Sequence, residues 1–217
     1  METTRKFAVV LAGCGVYDGA EIQEAVMTLY AIDRSGNSFG VFAPDVPQHH
    51  VVNHLTGKPM DEKRNVLTES ARIARGKIRP LKEFKSDEFD ILIFPGGFGV
   101  AKNLCTFAFD GANCKVNPEV EMAVIAMHKA GKPIGALCIA PVLLAKILGD
   151  VTLTIGQDAG TAAAVTAMGA THKPTTHREV IIDKKNKIVT SPCYMLDAGI
   201  TDIAEGALNA VNALLAL

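Results

Sequence analysis

Residues 135–141 have the sequence GALCIAP, in which a short apolar run ends at Cys138 and a proline follows three positions later. The apolar run predicts the end of a buried strand, and the proline is typical of the first turn of a helix. Small side chains at Ala136 and Ala140 leave space for a sharp turn of the backbone. The stretch therefore predicts a nucleophile elbow, a strand–turn–helix junction with Cys138 at its apex.

The rest of the chain alternates short apolar runs with helical patterns. The runs at residues 7–11 and 90–94 are typical of strands buried on both faces. Helical spacing follows between such runs, for example over residues 118–129. The first helix is predicted to bury one apolar face, formed by Ile22, Ala25, Val26, Leu29 and Ile32. This alternation predicts an α/β fold with a mostly parallel sheet and helices on both faces.

We interpret residues 1–217 as a single domain, because no repeat or low-complexity linker interrupts the alternation. Residues 45–82 are more polar and less regular than their surroundings. We predict that they form an insertion with some helix around residues 67–75. In parallel α/β sheets, functional sites form outside the carboxyl ends of the strands, so the loops at those ends are the ones to inspect.

Composition excludes several classes of function. The net charge is −1 and tryptophan is absent, so we expect no nucleic-acid partner. No apolar run approaches the roughly 18 residues of a membrane span, so we expect no membrane insertion. The five cysteines are widely spaced without a C-x-x-C pair, which predicts reduced thiols rather than a zinc site. We expect a cytoplasmic protein, with the mitochondrial matrix as the alternative for a mature organellar chain.

Cys138 is the candidate nucleophile. A thiol at a helix N-terminus meets the positive end of the helix dipole and free backbone N–H groups, which favour the thiolate. We therefore expect a lowered pKa at Cys138. The alternative is a buried structural cysteine, which is a common role for a free cysteine.

A glycine-rich turn, PGGFG at residues 95–99, follows a predicted buried strand. Its backbone can approach a ligand closely, and the N–H groups of Gly97 and Ile139 would then form an oxyanion hole. The alternative is a plain turn. A phosphate loop is excluded because no G-K-[ST] follows.

Two acids stand at the start of the first predicted helix. Asp18 and Glu21 have the spacing of a capping box, with Asp18 at the N-cap and Glu21 at N3. Alternatively, Glu21 lies beside Cys138 and moves protons, with Glu24 as the second candidate. His172 and His177 could approach the same place, but no spacing selects either, so the sequence does not assign a histidine partner to Cys138.

Several segments of the chain resemble the ElbB-like glyoxalases, the enhancing-lycopene-biosynthesis proteins. They are LAGCGVYDGAEI at 11–22, NVLTESARI at 65–73, FPGGFG at 94–99, AKNL at 101–104, LCIAP at 137–141 and NKIVT at 186–190. That family belongs to the PfpI-like, class I glutamine-amidotransferase-like superfamily. The resemblance implies a flavodoxin-like three-layer sandwich, an elbow at Cys138, oxyanion donors at Gly97 and Ile139, and an acidic partner matched best by Glu21.

The activity implied by the resemblance is that of a cofactor-independent glyoxalase. In this hypothesis Cys138 attacks the aldehyde of glyoxal or methylglyoxal, Glu21 moves protons, and water releases glycolate or lactate from a thioester. The reaction is an internal redox, so no cofactor or metal is expected. The expected partners are a small α-oxoaldehyde and, as in other superfamily members, a second copy in a homodimer. The alternatives are a Cys-dependent deglycase or amidohydrolase, and a non-enzymatic redox-sensing or partner-binding protein linked to isoprenoid metabolism.

Overall fold

The computed structural model describes residues 4–217. The strands are β1 (Lys6–Val10), β2 (Ser38–Ala43), β3 (Val52–Asn53), β4 (Lys58–Pro59), β5 (Ile78–Pro80), β6 (Ile91–Phe94), β7 (Ile134–Leu137), β8 (Thr152–Leu153), β9 (Thr171–His172), β10 (Ile181–Asp183) and β11 (Ile188–Ser191). The α-helices are α1 (Ile22–Arg34), α2 (Val66–Ile73), α3 (Phe107–Asp110), α4 (Pro118–Lys129), α5 (Pro141–Leu148), α6 (Ala159–Ala167) and α7 (Ile200–Leu215).

The central sheet has seven strands in the order β10-β11-β7-β6-β1-β2-β5. All neighbours run parallel except β10, which pairs antiparallel with β11. Val9 in β1 lies between Val41 of β2 and Ile93 of β6, which explains why the central strands are apolar on both faces. The prediction of a mostly parallel sheet is confirmed.

Helices cover both faces of this sheet. On one face α4 and α5 contribute Val124 and Leu144 to an apolar cluster. On the other face α1 and α7 contribute Ile32 and Val211 to a second cluster. The predicted three-layer α/β sandwich is therefore confirmed. Within residues 4–217, none of the helices combines the length and apolar character needed to cross a membrane.

The buried face of α1 differs from the prediction. Ala25 and Ile32 are buried as expected, but Ile22 and Val26 are 45% and 42% exposed. Glu24 and Thr28 are fully buried instead. The apolar periodicity misplaced the face because α1 directs a carboxyl, rather than a hydrocarbon, towards the strand ends.

The predicted insertion at residues 45–82 is wrong at its C-terminal end. β5 pairs parallel with β2 in the central sheet, so α2 and β5 form a regular crossover rather than an addition. The predicted helix near residues 67–75 corresponds to α2. What remains outside the sheet is the segment before α2, which contains the short β3–β4 hairpin. Asp18 anchors this hairpin because its Oδ2 accepts a 2.6 Å hydrogen bond from the Val52 N–H.

Candidate active site

A cleft of about 400 Å³ opens at the carboxyl edge of the sheet, where β6 and β7 end. Parallel strands bring their carboxyl ends to one edge, so loops distant in sequence meet there. The cleft is lined by Val16, Glu21, Gly97, Phe98, Ala101, Phe107, Ala108, Cys138, Ile139, Asp158, Thr161, Tyr194 and Met195. The structure thus brings all four predicted site residues, Cys138, Glu21, Gly97 and Ile139, into one cleft.

Cys138 occupies the turn between β7 and α5. Its backbone has φ +58°, a left-handed conformation that costs a non-glycine residue about 1–2 kcal/mol. The Cys138 N–H donates to Ser191 O at 2.9 Å, which holds the turn against β11. The side chain is 7% exposed and faces the cleft. The predicted strained elbow is confirmed, although α5 begins at Pro141, three residues after Cys138.

Glu24 is the carboxyl in contact with this thiol. The Cys138 thiol and the Glu24 carboxyl are close enough for each to shift the pKa of the other. Glu24 Oε2 accepts the Gly96 N–H at 2.9 Å, and Oε1 accepts the Tyr194 N–H at 3.1 Å. Each carboxylate oxygen is therefore oriented by a backbone donor, one from the loop after β6 and one from the turn after β11.

The two glycines after β6 allow this close approach. A Cβ on Gly96 would clash with Cys138 Cβ and lie 2.6 Å from Glu24 Oε2, so no side chain fits there. Gly97 has φ +101°, and its N–H donates to Cys138 Sγ. Ile139 follows Cys138 in the elbow and lines the cleft. The roles of the Gly97 and Ile139 N–H groups as hydrogen-bond donors to an oxyanion stay predictions.

Burial dominates the electrostatics of the pair. It raises the pKa of Glu24 to about 7, against the lowering effect of the Tyr194 and Gly96 N–H groups. Burial also raises the pKa of the Cys138 thiol, and the nearby Glu24 and Cys193 groups raise it further, whereas the Gly97 N–H lowers it. The lowered thiol pKa expected from the helix dipole is not found, because desolvation outweighs the dipole. The resting pair is therefore a neutral thiol beside a carboxyl that is poised to take a proton near neutral pH.

Glu21 has a different environment from the predicted one. It is itself the N-cap of α1, and its Oε2 accepts the Glu24 N–H at 2.6 Å. The predicted capping box is therefore wrong, since Asp18 binds the β3–β4 hairpin and Glu21 occupies the N-cap. Glu21 lines the cleft, but its carboxylate supports the backbone of Glu24. The proton-transfer role predicted for Glu21 remains untested by this geometry.

The two histidines considered from the sequence lie elsewhere. His172 is part of β9, and His177 Nε2 lies 2.8 Å from Asp197 O. Across residues 4–217, the lining of the cleft contains no histidine. No cluster of three or more His, Cys, Asp or Glu side chains suited to a metal ion occurs in the same range.

Sequence reasoning missed the contribution of Tyr194. Its backbone N–H holds Glu24, its side chain lines the cleft, and its hydroxyl bonds to Gln23. The preceding residue, Cys193, is buried with φ +43° close to Cys138. One sequence signal could have indicated Tyr194: its segment follows β11, which ends at the same edge of the sheet as β6 and β7. A backbone donor leaves no mark in the identity of a side chain.

The fold and the cleft define a class of protein. It is a three-layer α/β protein with a mostly parallel sheet, a strained elbow cysteine and a buried carboxyl beside the thiol. The chain belongs to the DJ-1/PfpI family, whose family model matches residues 16–195. This confirms the superfamily expected from the motifs.

Known proteins similar to this chain agree with that assignment. The human protein "glutamine amidotransferase-like class 1 domain-containing protein 3, mitochondrial" is 52% identical over 211 residues, which cover 93% of this chain and 79% of the relative. The rat "ES1 protein homolog, mitochondrial" is 51% identical over the same coverage. A crystal structure of an "isoprenoid biosynthesis protein with amidotransferase-like domain" from Ehrlichia chaffeensis has 36% identity and a TM-score of 0.91, covering 97% of this chain and 99% of the other. Drosophila melanogaster DJ-1beta, 18% identical, shares the fold with a TM-score of 0.60 over 99% of this chain and 92% of its own.

Proposed function

We propose that this protein is a cofactor-independent glyoxalase of the ElbB-like branch, converting glyoxal or methylglyoxal to glycolate or lactate. The observation that carries the proposal is the buried Cys138 thiol beside the Glu24 carboxyl, with the Gly97 N–H near the sulfur. This arrangement supplies a nucleophile, a base and an anion donor at one point. These are the groups that thiol addition to an aldehyde requires.

The first step is addition to the aldehyde. Cys138 Sγ forms a bond to the aldehyde carbon while its proton passes to Glu24, and the carbonyl π electrons move to oxygen. The Gly97 N–H supports negative charge at the reacting centre until the oxygen is protonated. The product is a hemithioacetal. A base with a pKa of about 7 accepts and returns protons efficiently near neutral pH.

The later steps are an internal redox. Glu24 carries the proton of the former aldehyde carbon to the neighbouring carbon through an enediol, so the first carbon is oxidised to a thioester and the second is reduced to an alcohol. Water then attacks the thioester, releases the hydroxy acid and returns the thiol. Electrons are conserved within the substrate, and one water is consumed.

In this proposal Glu24 takes the role that the sequence motifs suggested for Glu21. Glu21 becomes a positioning residue, because its carboxylate holds the N–H of Glu24 at 2.6 Å. The base beside the thiol is a carboxyl rather than an imidazole, which favours aldehyde addition over a Cys-His amidohydrolase. The names of the relatives refer to amidotransferases, but the cleft of this chain contains no imidazole base of that kind within residues 4–217.

The test is acid formation from methylglyoxal without added glutathione, followed by proton NMR as the appearance of lactate. We expect lactate from the wild type, none from Cys138→Ala, and nearly wild-type rates from the matched control Cys14→Ala. Cys14 is half-buried in the loop after β1 and does not line the cleft. Lactate formation that survives in Cys138→Ala would refute the proposed nucleophile, and no lactate from the wild type would refute the activity.

Two further expectations remain proposals. The names of the human and rat relatives support a mitochondrial location, the alternative to the cytoplasm expected from the sequence. Cell fractionation against a matrix marker tests this. The homodimer also stays a prediction, and light scattering of the full chain measures it.

A further inference from the structure

Two cysteines outside the proposed reaction are in contact with each other. Cys105 and Cys114 are 3% and 2% exposed, and their thiols are close enough for each to shift the pKa of the other. They bracket a short segment that contains α3. Phe107 and Ala108 of that segment form part of the cleft wall.

The backbone holds the two cysteines in place. Cys105 forms an antiparallel bridge with Val116, and the Thr106 N–H donates to Lys115 O at 2.9 Å. Side chains alternate along an extended segment, so Cys114 and Val116 project to the same side, towards Cys105. The Cys114 N–H also donates to Gly111 O at 3.1 Å. The backbone pairing therefore brings the two cysteines side by side.

The two thiols are chemically unequal. The pKa of Cys114 is lowered to about 7, chiefly by the hydrogen bond from the Cys105 thiol and also by the Lys146 ammonium. The pKa of Cys105 is raised by its bond to Cys114 and by burial. Cys105 Sγ lies 3.3 Å from Val100 O, so its proton has a second acceptor. Cys114 is thus the more acidic thiol of the pair, and it follows the exposed residue Asn113.

We propose that Cys105 and Cys114 are a redox modification site that forms a reversible intrachain disulfide when the protein meets a peroxide. The antiparallel pairing of Cys105 with Val116 places Cys114 beside Cys105, so the bond can close with little movement of the backbone. Closure cross-links the two ends of the α3 segment, one wall of the cleft. The site is separate from Cys138, and its chemistry does not require the proposed glyoxalase activity.

The chemistry balances with hydrogen peroxide as the oxidant. The Cys114 thiolate attacks one peroxide oxygen, the O–O bond breaks, and a sulfenic acid and water result after one proton is taken up. Cys105 then attacks the Cys114 sulfur, the S–O bond breaks, and a second water leaves with the Cys105 proton. Two thiols and one peroxide thus give one disulfide and two waters. A dithiol reductant reverses the reaction by exchange.

The test uses the intact, reduced protein. It is treated with a small excess of hydrogen peroxide near neutral pH, alkylated and digested with trypsin. Both cysteines fall on one tryptic peptide, residues 103–115, because Lys102 and Lys115 are the flanking cleavage sites. We expect this peptide to lose two hydrogens and accept no alkyl groups, and to accept two after treatment with dithiothreitol. A fully alkylated peptide after peroxide, or a disulfide between Cys138 and Cys193 in its place, would overturn the proposal.

Single variants test the roles of the two thiols. In Cys105→Ser the sulfenic acid at Cys114 cannot be resolved, so dimedone should label Cys114. In Cys114→Ser, labelling of Cys105 should be at least about tenfold slower, because burial still raises the pKa of its thiol when the Cys114 thiol is gone. Faster labelling of Cys105 than of Cys114 would contradict the assigned order. The wild-type peptide map needs no variant, so a variant that fails to fold leaves the main test intact.

Discussion

Glu24→Gln is the change that tests the proposed active site most directly. The variant keeps the size of the side chain but replaces one acceptor oxygen with an NH₂ group. Both oxygens of Glu24 accept backbone N–H groups, from Gly96 and Tyr194. One of these buried donors will lose its acceptor, at a cost of about 1–3 kcal/mol in the free energy of unfolding.

The pH dependence of stability separates this cost from the effect of charge. The folded-state pKa of Glu24 is about 7 and the reference value is 4.5, so the folded protein holds the proton more tightly than the unfolded chain. The stabilisation is therefore fully present below pH 4.5 and is lost as the pH rises through about 7. The difference of about 2.5 pKa units corresponds to roughly 3 kcal/mol. Glu24→Gln should be less stable than the wild type at low pH, and the difference should shrink or reverse above pH 7. Urea unfolding at several pH values measures both curves.

Turnover and thiol reactivity should move in opposite directions in this variant. Without its base, kcat/KM for methylglyoxal should fall by about 10²–10⁴-fold and should lose the rise through pH 7 expected of the wild type. Iodoacetamide should nevertheless alkylate Cys138 at lower pH, because the carboxylate that raises the thiol pKa is gone. Glu21→Gln is the matched comparison, since a glutamine can still cap the Glu24 N–H. Wild-type turnover in Glu24→Gln together with a large loss in Glu21→Gln would refute the assignment of Glu24 as the base.

Three further predictions follow from the same contacts. The free energy of unfolding should be about 1 kcal/mol higher for Cys138→Gly than for Cys138→Ala, because glycine adopts a φ of +58° without strain. Equal stability of the two variants in denaturant would show that the elbow is not strained. Gly96→Ala should lower the melting temperature and abolish turnover, because the new Cβ would clash with Cys138 and lie 2.6 Å from Glu24 Oε2. The control Gly160→Ala in α6 should melt at or above the wild-type temperature. A Gly96→Ala variant with normal activity would contradict this packing. In the wild type, iodoacetamide should modify Cys114 at lower pH than Cys138, because the Cys105 thiol and Lys146 lower the pKa of Cys114 and burial raises that of Cys138; the reverse order in peptide mapping would contradict both directions.

Local pattern was sufficient for the sheet and for the nucleophile. The apolar runs at β1, β6 and β7 are buried on both faces, so their composition alone indicates central parallel strands. The elbow was predictable because Cys138 must follow a strand and precede a helix, and both neighbours carry their own signals. Gly97 was predictable for a related reason, since a glycine after a buried strand indicates close approach of the backbone.

The edge of the sheet was less predictable. β5 has three residues, all only half-buried, so it lacks the apolar run that marks the central strands. The segment before it is polar because the β3–β4 hairpin lies outside the sheet. The sequence therefore suggested one long insertion where the chain forms a hairpin followed by a regular crossover.

The sequence by itself determined the α/β alternation, the parallel central strands, the elbow cysteine and the presence of two acids near the first helix. Only the tertiary structure decided which acid meets the thiol. Successive residues of a helix turn by about 100°, so the start and rotation of α1 determine whether position 21 or 24 points at Cys138. That rotation is set by packing against α7 and by hydrogen bonds to Glu24 from Gly96 and Tyr194. Tyr194 lies 170 residues away along the chain and acts through its backbone, which no local pattern records.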